Sequence, residues 1–207
     1  MDVVEQAGGG ASISDARFDV VGMASSAGGL TALSAILSRL PVDFPAALVL
    51  VQHLDPRHGS LLAEVLSRRT ALVVRQAREG DQLAPGTVFV APPDHHLLVE
   101  AGGRLALSQT ELVHFVRPSA DLMFESLAAA YGPRAIAVVL TGTGFDGATG
   151  VTAVKERGGT VIAQDELSSE FFGMPGATIH TGCVDFTLDL NEIASALMTL
   201  VMKGAVE

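Results

Sequence analysis

The 207-residue sequence has a single cysteine, no tryptophan and few aromatic residues, which make up 5% of the chain. One thiol cannot form an internal disulfide bond or supply the ligands of a structural zinc site. The scarcity of aromatic rings leaves no stacking platform for nucleic-acid bases. Basic residues are also few, because 13 Lys and Arg face 23 Asp and Glu and give a formal net charge of −10. This charge opposes binding to a phosphate backbone, so we expect no nucleic-acid partner.

Long hydrophobic runs are absent as well. Uninterrupted apolar stretches such as Ala46 to Val51 fall far short of the roughly 20 residues that a bilayer span needs, so we expect no stable membrane insertion. No basic region precedes an apolar run in residues 1–17, and this segment therefore does not resemble a secretory signal. The sequence favours a cytoplasmic protein.

The chain does contain the apolar residues of a folded domain. Hydrophobic residues make up 48% and charged residues 17% of the sequence, which excludes an intrinsically disordered chain. The length suits one domain. We predict a flexible N-terminal tail over residues 1–17, one domain over residues 18–202 and a C-terminal tail over residues 203–207.

Apolar patterning predicts a recurring unit of strand, loop and helix. Three such strands are predicted at 18–23, 46–52 and 135–140, and their helices at about 30–40, 61–66 and 148–157. Further strands are predicted at 72–76, 88–91, 96–100, 104–107 and 160–163, and further helices at 119–131 and 190–202. Continuous apolar strands separated by helices are typical of parallel sheets covered on both faces. We therefore predict a doubly wound α/β fold with a mostly parallel sheet and a small β-hairpin insertion, whose strands meet at Gly102 and Gly103.

Three of the predicted strand-end loops carry a serine, a histidine and an aspartate. Ligands of open parallel sheets bind beyond the carboxyl ends of the strands, where Ser26, His53 and Asp146 follow their strands. In such a set the histidine takes the proton of the serine hydroxyl, and the carboxylate holds the histidine tautomer and stabilises the imidazolium. The sequence thus predicts a catalytic site of Ser26, His53 and Asp146.

Backbone N–H groups beside these loops are candidates for an oxyanion hole. The start of the first predicted helix is positively polarised, and the glycine-rich loop 141–147 lets its backbone approach a reacting carbonyl. Met174 and Pro175 are predicted to lie in a loop that shapes the site wall. The predicted oxyanion-hole and wall residues are Ala27, Gly28, Gly29, Thr143, Gly144 and Met174.

Other interpretations of these residues stay open at the level of sequence. Ser25 is a rival hydroxyl, and Asp165 follows another predicted strand as a rival carboxylate. Ser26 and Asp146 are also residue types that cap the N-terminus of a following helix. His53 follows an apolar strand and fits a satisfied histidine at the edge of the core.

Metal and nucleotide sites are less favoured. His95 and His96 are adjacent on a predicted strand, where side chains point to opposite faces and rarely bind one ion. Cys183 is predicted to be a small buried residue. Glycines after the first strand suggest a Rossmann-type domain, but the G-x-G-x-x-G spacing and an acidic residue after the second strand are missing. We predict no metal and no cofactor.

Several separate segments carry a resemblance to a known family. In order they are VVGMASSAGGL (20–30), VQHLDP (51–56), RPSADLMFESLA (117–128), LTGTGFDGATG (140–150), QDELSSEFFGMP (164–175) and TGCVDFTLDLNEIASAL (181–197). They resemble the catalytic domain of the chemotaxis protein-glutamate methylesterases, the CheB family. The resemblance implies hydrolysis of γ-glutamyl methyl esters on the cytoplasmic region of methylated chemoreceptors, and often deamidation of receptor glutamines. It also implies that Ser26 is the nucleophile, His53 the base and Asp146 the acid that orients it.

The sequence departs from the family pattern in three places. Ala24 and Ser25 stand where the family usually has Gly and Ala or Ser, and Thr143 stands where it often has Met. The usual N-terminal receiver domain does not precede the matching region, so we expect a constitutively open site and separate signalling partners. A catalytically silent interaction module with the same fold is the alternative.

Overall fold

The computed structural model describes residues 19–53 and 60–202. Its main sheet contains seven parallel strands in the order β3-β4-β2-β1-β7-β8-β9, and β5 and β6 form a separate antiparallel pair. The strands are β1 (Val20–Ser25), β2 (Ala47–Gln52), β3 (Val73–Gln76), β4 (Thr87–Val90), β5 (His96–Val99), β6 (Leu105–Ser108), β7 (Ala135–Val139), β8 (Thr160–Gln164) and β9 (Phe186–Leu188). The helices are α1 (Gly29–Leu37), α2 (Leu62–Ser67), α3 (Ala120–Tyr131), α4 (Ala148–Glu156), α5 (Gly173–His180) and α6 (Leu190–Met202).

The central strands are continuously apolar because the sheet is covered on both faces. Every residue of β1, β2 and β7 is buried. One hydrophobic core packs α1, α2 and α6 against one face of the sheet. A second core packs α3, α4 and the β5–β6 hairpin against the other face. The predicted doubly wound α/β fold with a small hairpin insertion is confirmed.

Helices α3 and α4 pack against each other at close range. A Cβ atom on Gly150 would lie 2.7 Å from the carbonyl oxygen of Asp121 and 2.8 Å from Cβ of Phe124. Glycine at this position therefore lets the first turns of the two helices come together. This close approach matters for the site, because the loop that carries Asp146 leads directly into α4.

Two short elements were not predicted from the sequence. Met174 and Pro175 lie in the first turn of α5 and not in a loop, because the sequence GMPGATIH has no clear apolar stripe. Strand β9 has exposed Phe186 and no buried residue, so its sequence lacks the apolar run that marks the other strands. Cys183 is half-buried and not fully buried as predicted, and its Sγ lies 3.8 Å from Oγ1 of Thr152.

The predicted tails, residues 1–17 and 203–207, and the predicted start of the domain at Phe18 lie outside the described residues. The predicted domain boundaries therefore stay predictions. Among the helices in residues 19–53 and 60–202, none combines the length and the apolar character that a bilayer crossing requires.

Candidate active site

The three predicted loops meet at the carboxyl edge of the sheet. Strand β1 lies between β2 and β7, with Ser25 opposite Gln52 and Ala24 opposite Val139. The N–H of Ser26 donates to the carbonyl oxygen of Thr141 at 3.0 Å, and the N–H of His53 donates to the carbonyl oxygen of Ser25 at 3.0 Å. The sheet register therefore places the residues that follow β1, β2 and β7 side by side.

His53 and Asp146 form a hydrogen-bonded pair in this position. The Nε2 atom of His53 lies 2.8 Å from Oδ2 of Asp146, and the two side chains are only 11% and 3% exposed. Because Nε2 faces the carboxylate, Nδ1 is the ring nitrogen left to accept a proton from a nucleophile. The pair has the arrangement in which a carboxylate fixes the tautomer of a catalytic histidine.

The surroundings of Asp146 stabilise the ionised form of its carboxyl group. Burial opposes ionisation of this carboxyl group, but hydrogen bonds from His53, the N–H of Ala120 and the hydroxyl of Ser119 outweigh burial and lower the pKa below its ordinary value of 3.8. Asp146 is therefore a carboxylate at neutral pH, and it can stabilise an imidazolium on His53.

The carboxylate of Asp146 caps the helix that precedes it in the chain. Its Oδ1 atom accepts from Oγ of Ser119 at 2.8 Å and from the N–H of Asp121 at 3.2 Å, and Oδ2 accepts from the N–H of Ala120 at 2.6 Å. These donors form the N-terminus of α3, whose positive end favours an anion. The alternative that Asp146 caps the following helix, α4, is wrong, because α4 has Gly147 at its N-cap and no side-chain cap bond there.

Asp121 performs the corresponding task for α4. Its Oδ1 atom accepts from the N–H of Gly147 at 2.9 Å and from the N–H of Gly150 at 2.7 Å. Its Oδ2 atom lies 3.2 Å from Nε2 of His114. Burial, together with the nearby charge of Asp146, raises the pKa of Asp121. Asp146, in the loop before α4, thus binds the N-terminal amides of α3, and Asp121, in α3, binds amides at the start of α4. Together the two aspartates fix the 141–147 loop against α3.

The roles of Ser119 and Asp121 are not predicted from the sequence. The sequence indicates only a local role for Ser119, because this serine precedes an apolar pattern of helical spacing, which is typical of an N-cap. In the structure its Oγ does accept a hydrogen bond from the N–H of Leu122. The bonds that matter for the site join α3 to a loop more than twenty residues further along the chain. No pattern within one segment indicates such pairing.

The two adjacent serines have different surroundings. Ser25 is fully buried, and its Oγ donates to Oε1 of Gln52 at 2.6 Å. Nε2 of Gln52 in turn donates to the carbonyl oxygens of Ser26 at 2.7 Å and His53 at 3.0 Å. The hydroxyl of Ser25 is therefore committed to holding the ends of β1 and β2 together.

Ser26 is half-buried, and within residues 19–53 and 60–202 its hydroxyl has no hydrogen-bond partner. The alternative that it caps α1 is not what the structure shows, because Gly28 occupies the N-cap and no side chain bonds there. Of the two serine hydroxyls at the end of β1, that of Ser25 is bonded to a partner in the described residues and that of Ser26 is not.

The backbone donors of the predicted oxyanion hole divide into two groups. The N–H of Gly29 donates to the carbonyl oxygen of Ser26 at 2.9 Å, and the N–H of Gly142 donates to that of Phe171 at 2.9 Å. These two groups are already bonded. The N–H groups of Ala27, Gly28, Thr143 and Gly144 make no hydrogen bond within the part of the chain that the structure describes. Gly28 and Gly144 have positive φ angles of 77° and 85°, which glycine adopts without strain.

Met174 forms part of the wall beside Ser26. A Cβ atom on Gly142 would clash with Sδ of Met174 and would lie 2.9 Å from Cβ of Ser26. The missing side chain at Gly142 therefore lets the buried Met174 approach the serine. The N–H of Met174 donates to the carbonyl oxygen of Gly142 at 2.9 Å, which fixes the start of α5 on the glycine loop.

Asp165, the rival carboxylate, serves its own loop. Its Oδ1 atom accepts from the N–H of Ser168 at 3.0 Å and from Oγ of the same residue at 2.5 Å. The only carboxylate hydrogen-bonded to His53 within the described residues is that of Asp146. The structure therefore brings Asp146, and not Asp165, to the histidine.

The other histidines of interest have hydrogen-bond partners. Nδ1 of His95 lies 3.0 Å from the carbonyl oxygen of Pro93, and His96 is fully buried between the carbonyl oxygen of Glu111 and the N–H of Ser119. In the described residues no group of three or more His, Cys, Asp or Glu side chains could hold a metal ion.

A parallel α/β sheet that carries a serine and a hydrogen-bonded His–Asp pair at its carboxyl edge is typical of a serine-type hydrolase. Residues 21–197 match the family model of the CheB methylesterase. The chain therefore belongs to the CheB methylesterase family, as its sequence motifs predicted.

A solved structure gives the same result. The crystal structure of the Thermotoga maritima CheB methylesterase catalytic domain superposes with a TM-score of 0.86 at 38% identity, over 89% of this chain and 99% of that one.

Among curated relatives, the protein-glutamate methylesterase/protein-glutamine glutaminase of Symbiobacterium thermophilum is 41% identical over 86% of this chain and 49% of its own length. The protein-glutamate methylesterase FrzG of Myxococcus xanthus is 42% identical over 89% of this chain and 55% of its own length. A putative enzyme of the first kind from Leptospira interrogans is 36% identical over 89% of this chain and 95% of its own length. The chain thus spans about half the length of the first two relatives.

Proposed function

We propose that the protein is a protein-glutamate methylesterase, which hydrolyses γ-glutamyl methyl esters on the cytoplasmic region of methylated chemoreceptors. The observation that carries the proposal is the 2.8 Å hydrogen bond between His53 and Asp146, at the sheet edge where Ser26 follows β1. The names of the relatives support a glutamate side-chain ester as the substrate. We propose a cytoplasmic location, because such a substrate faces the cytoplasm.

The proposed reaction has two halves. Oγ of Ser26 attacks the ester carbonyl carbon while Nδ1 of His53 takes the hydroxyl proton, and the resulting oxyanion accepts hydrogen bonds from backbone N–H groups of Gly28 and Gly144. The carbon–oxygen bond to the methoxy group then breaks, and His53 protonates the departing methanol. Water, deprotonated by His53, attacks the acyl-enzyme and releases the glutamate carboxyl group and Ser26. The steps need no cofactor and no metal.

Asp146 contributes by staying charged and fixed throughout these steps. Its hydrogen bonds to the N-terminus of α3 hold the carboxylate in place before His53 becomes an imidazolium. A fixed charge needs no rearrangement when the histidine ionises, which is how preorganised groups lower a barrier.

The same site suits hydrolysis of a glutamine side chain. An amide carbonyl accepts the same attack, and His53 would then protonate departing ammonia in place of methanol. The names of several relatives pair methylesterase with glutaminase activity, so we include deamidation of receptor glutamines in the proposal.

The test is methanol release from membranes that contain methylated chemoreceptors. We expect the wild-type protein to release methanol, and the folded Ser26→Ala variant to release none above background. Ammonia release from unmodified receptor measures the glutaminase activity in parallel. A folded wild-type protein that releases neither product, yet binds receptor membranes, would contradict the proposal and favour the interaction module.

A further inference from the structure

A tight turn with two unusual residues lies next to the candidate active site. Val113 and Val116 exchange backbone hydrogen bonds of 3.2 Å and 2.9 Å, so His114 and Phe115 are the central residues of a two-residue hairpin turn. Both have positive φ, 50° and 67°. Positive φ at both positions is the mark of a type I′ turn, which normally takes Asn-Gly. Side chains larger than Asn persist in this conformation only where the surroundings hold it.

The surroundings do hold this turn. Nη1 of Arg117 donates to the carbonyl oxygens of Gln109 at 3.1 Å and Thr110 at 2.7 Å, and Nε donates to Oδ1 of Asp94 at 3.0 Å. On the inner side, Nε2 of His114 lies 3.2 Å from Oδ2 of the buried Asp121. The 109–117 segment is therefore fastened at its base by Arg117, and its tip lies against Asp121.

The turn also contacts the loop that carries Asp146. The ring centroids of His114 and Phe145 lie 4.6 Å apart in an edge-on arrangement, and Phe145 directly precedes Asp146. The side chain of His114 is 38% exposed, whereas Phe115 is 95% exposed and Phe145 is 55% exposed. Two phenylalanine rings thus stand in solvent at the rim of the candidate site.

Resting on the proposed methylesterase function, we propose that Phe115 and Phe145 form a docking surface for the protein substrate, where they bind apolar side chains next to the glutamyl ester. A phenylalanine ring that is held in a strained turn and left in water contributes nothing to the core of this chain. Because the backbone of the turn is already held, binding of the ring to a partner orders little more than the Phe115 side chain itself.

The charge of the protein supports an apolar docking surface. The chain has a net charge of −10, so its long-range electrostatic field does not attract an acidic protein segment. Apolar contact supplies binding energy that does not depend on this charge. A small methyl ester, in contrast, can reach Ser26 without touching Phe115.

The experiment compares two substrates in one variant. Phe115→Gly removes the ring and keeps the turn, because glycine adopts a positive φ readily. We expect kcat/KM on methylated receptor membranes to fall by about tenfold to a hundredfold, the range for a lost buried phenylalanine contact. We expect kcat/KM on N-acetylglutamate γ-methyl ester to stay unchanged.

Two control variants accompany this measurement. Phe115→Leu keeps an apolar side chain and should retain most of the receptor activity. Val42→Gly removes another exposed apolar side chain, 66% exposed and placed between α1 and β2 at the opposite edge of the sheet. It should change neither activity.

The possible results are distinct. Equal losses on both substrates in Phe115→Gly would overturn the docking surface, because the ring would then act through the catalytic loop. Unchanged activity on both substrates would overturn it as well, and so would a change from dimer to monomer in sedimentation, because a second copy would then cover the ring. A wild-type protein inactive on both substrates would instead overturn the proposed function, and with it this inference.

Discussion

The loops that follow β7 and β8 each contain an aspartate, and the two aspartates differ in what they bind. Each carries an aspartate soon after a buried strand and leads into a helix. The carboxylate of Asp146 bonds with partners outside its own loop, namely His53 and the N-terminus of α3. The carboxylate of Asp165 bonds with Ser168 in the same loop. A polar group is free to serve a distant partner only where its own segment does not already satisfy it.

The same difference separates the two serines at the end of β1. Ser25 is buried and donates to Gln52, whereas the hydroxyl of Ser26 has no such partner in the described residues. The hydroxyl of Ser25 stabilises the edge of the sheet through its bond with Gln52. The hydroxyl of Ser26 is the candidate nucleophile. Each pair offers a test in which the two members should respond differently.

The largest difference is expected between the serines. Ser26→Ala should lower kcat on a small glutamate methyl ester by on the order of 10⁵ to 10⁶, the loss that follows removal of a triad nucleophile. Ser25→Ala should keep most of the activity and destabilise the fold by about 1–3 kcal/mol, because Gln52 loses a buried partner. Steady-state kinetics and urea unfolding of both variants measure these effects. Full activity in Ser26→Ala and none in Ser25→Ala would transfer the nucleophile to Ser25.

The next largest difference is expected between the aspartates. Asp146→Asn should lower kcat by on the order of 10⁴, because an amide cannot hold the required tautomer of His53 or stabilise its charge. Asp165→Asn keeps an acceptor for the N–H of Ser168 and should change kcat little. A larger loss in Asp165→Asn than in Asp146→Asn, measured on the same ester, would refute the assignment of the carboxylate.

The reciprocal caps should respond to pH in opposite directions. Burial and the charge of Asp146 raise the pKa of Asp121 above 3.8, so the folded state binds this proton more tightly and loses stability as pH rises from 3.8 through the raised value. For Asp146, hydrogen bonds from His53, Ala120 and Ser119 overcome burial and lower the pKa. Its contribution is present above 3.8 and disappears as pH falls through the lowered value.

Urea unfolding between about pH 3 and pH 7 separates the two contributions. The wild-type free energy of unfolding should contain a decrease as pH rises above 3.8, which Asp121→Asn should lack. It should also contain a decrease as pH falls below 3.8, which Asp146→Asn should lack. Differences of the same sign and in the same pH window for both variants would show that the two carboxylates are not held as the structure indicates.

The smallest effect is expected at Ser119. Its hydroxyl caps α3 and donates to Asp146 at 2.8 Å, while the N–H of Ala120 holds the same carboxylate. Ser119→Ala should therefore cost about 1 kcal/mol of stability, as a lost N-cap does, and lower kcat by less than Asp146→Asn. Ser126→Ala on the same helix, where Oγ donates to the carbonyl oxygen of Met123 and accepts from the N–H of Val99, is the control for loss of a helix hydroxyl that does not contact Asp146. A loss of kcat in Ser119→Ala as large as in Asp146→Asn would mean that the hydroxyl, and not the amides, holds the carboxylate.

Local patterns determined the sheet and the neighbourhood of the site. Buried parallel strands are continuous apolar runs, so β1, β2 and β7 could be located from sequence, and the residues after them fall at one edge because parallel strands share a direction. Elements without a strong local pattern, such as α5 and β9, could not be found this way. The 3-residue β9 is held by its pairing with β8 and by little in its own sequence.

The sequence by itself thus determined the parallel α/β fold and brought Ser26, His53 and Asp146 to one edge of the sheet, because these follow from local apolar runs and chain order. Only the tertiary structure decided which carboxylate faces His53, which serine hydroxyl bonds with Gln52, and that Asp146 caps α3 while Asp121 binds amides at the start of α4. The physical reason is the satisfaction of buried polar groups. Each such group bonds with whatever the packed fold places next to it, and that partner can lie anywhere in the chain.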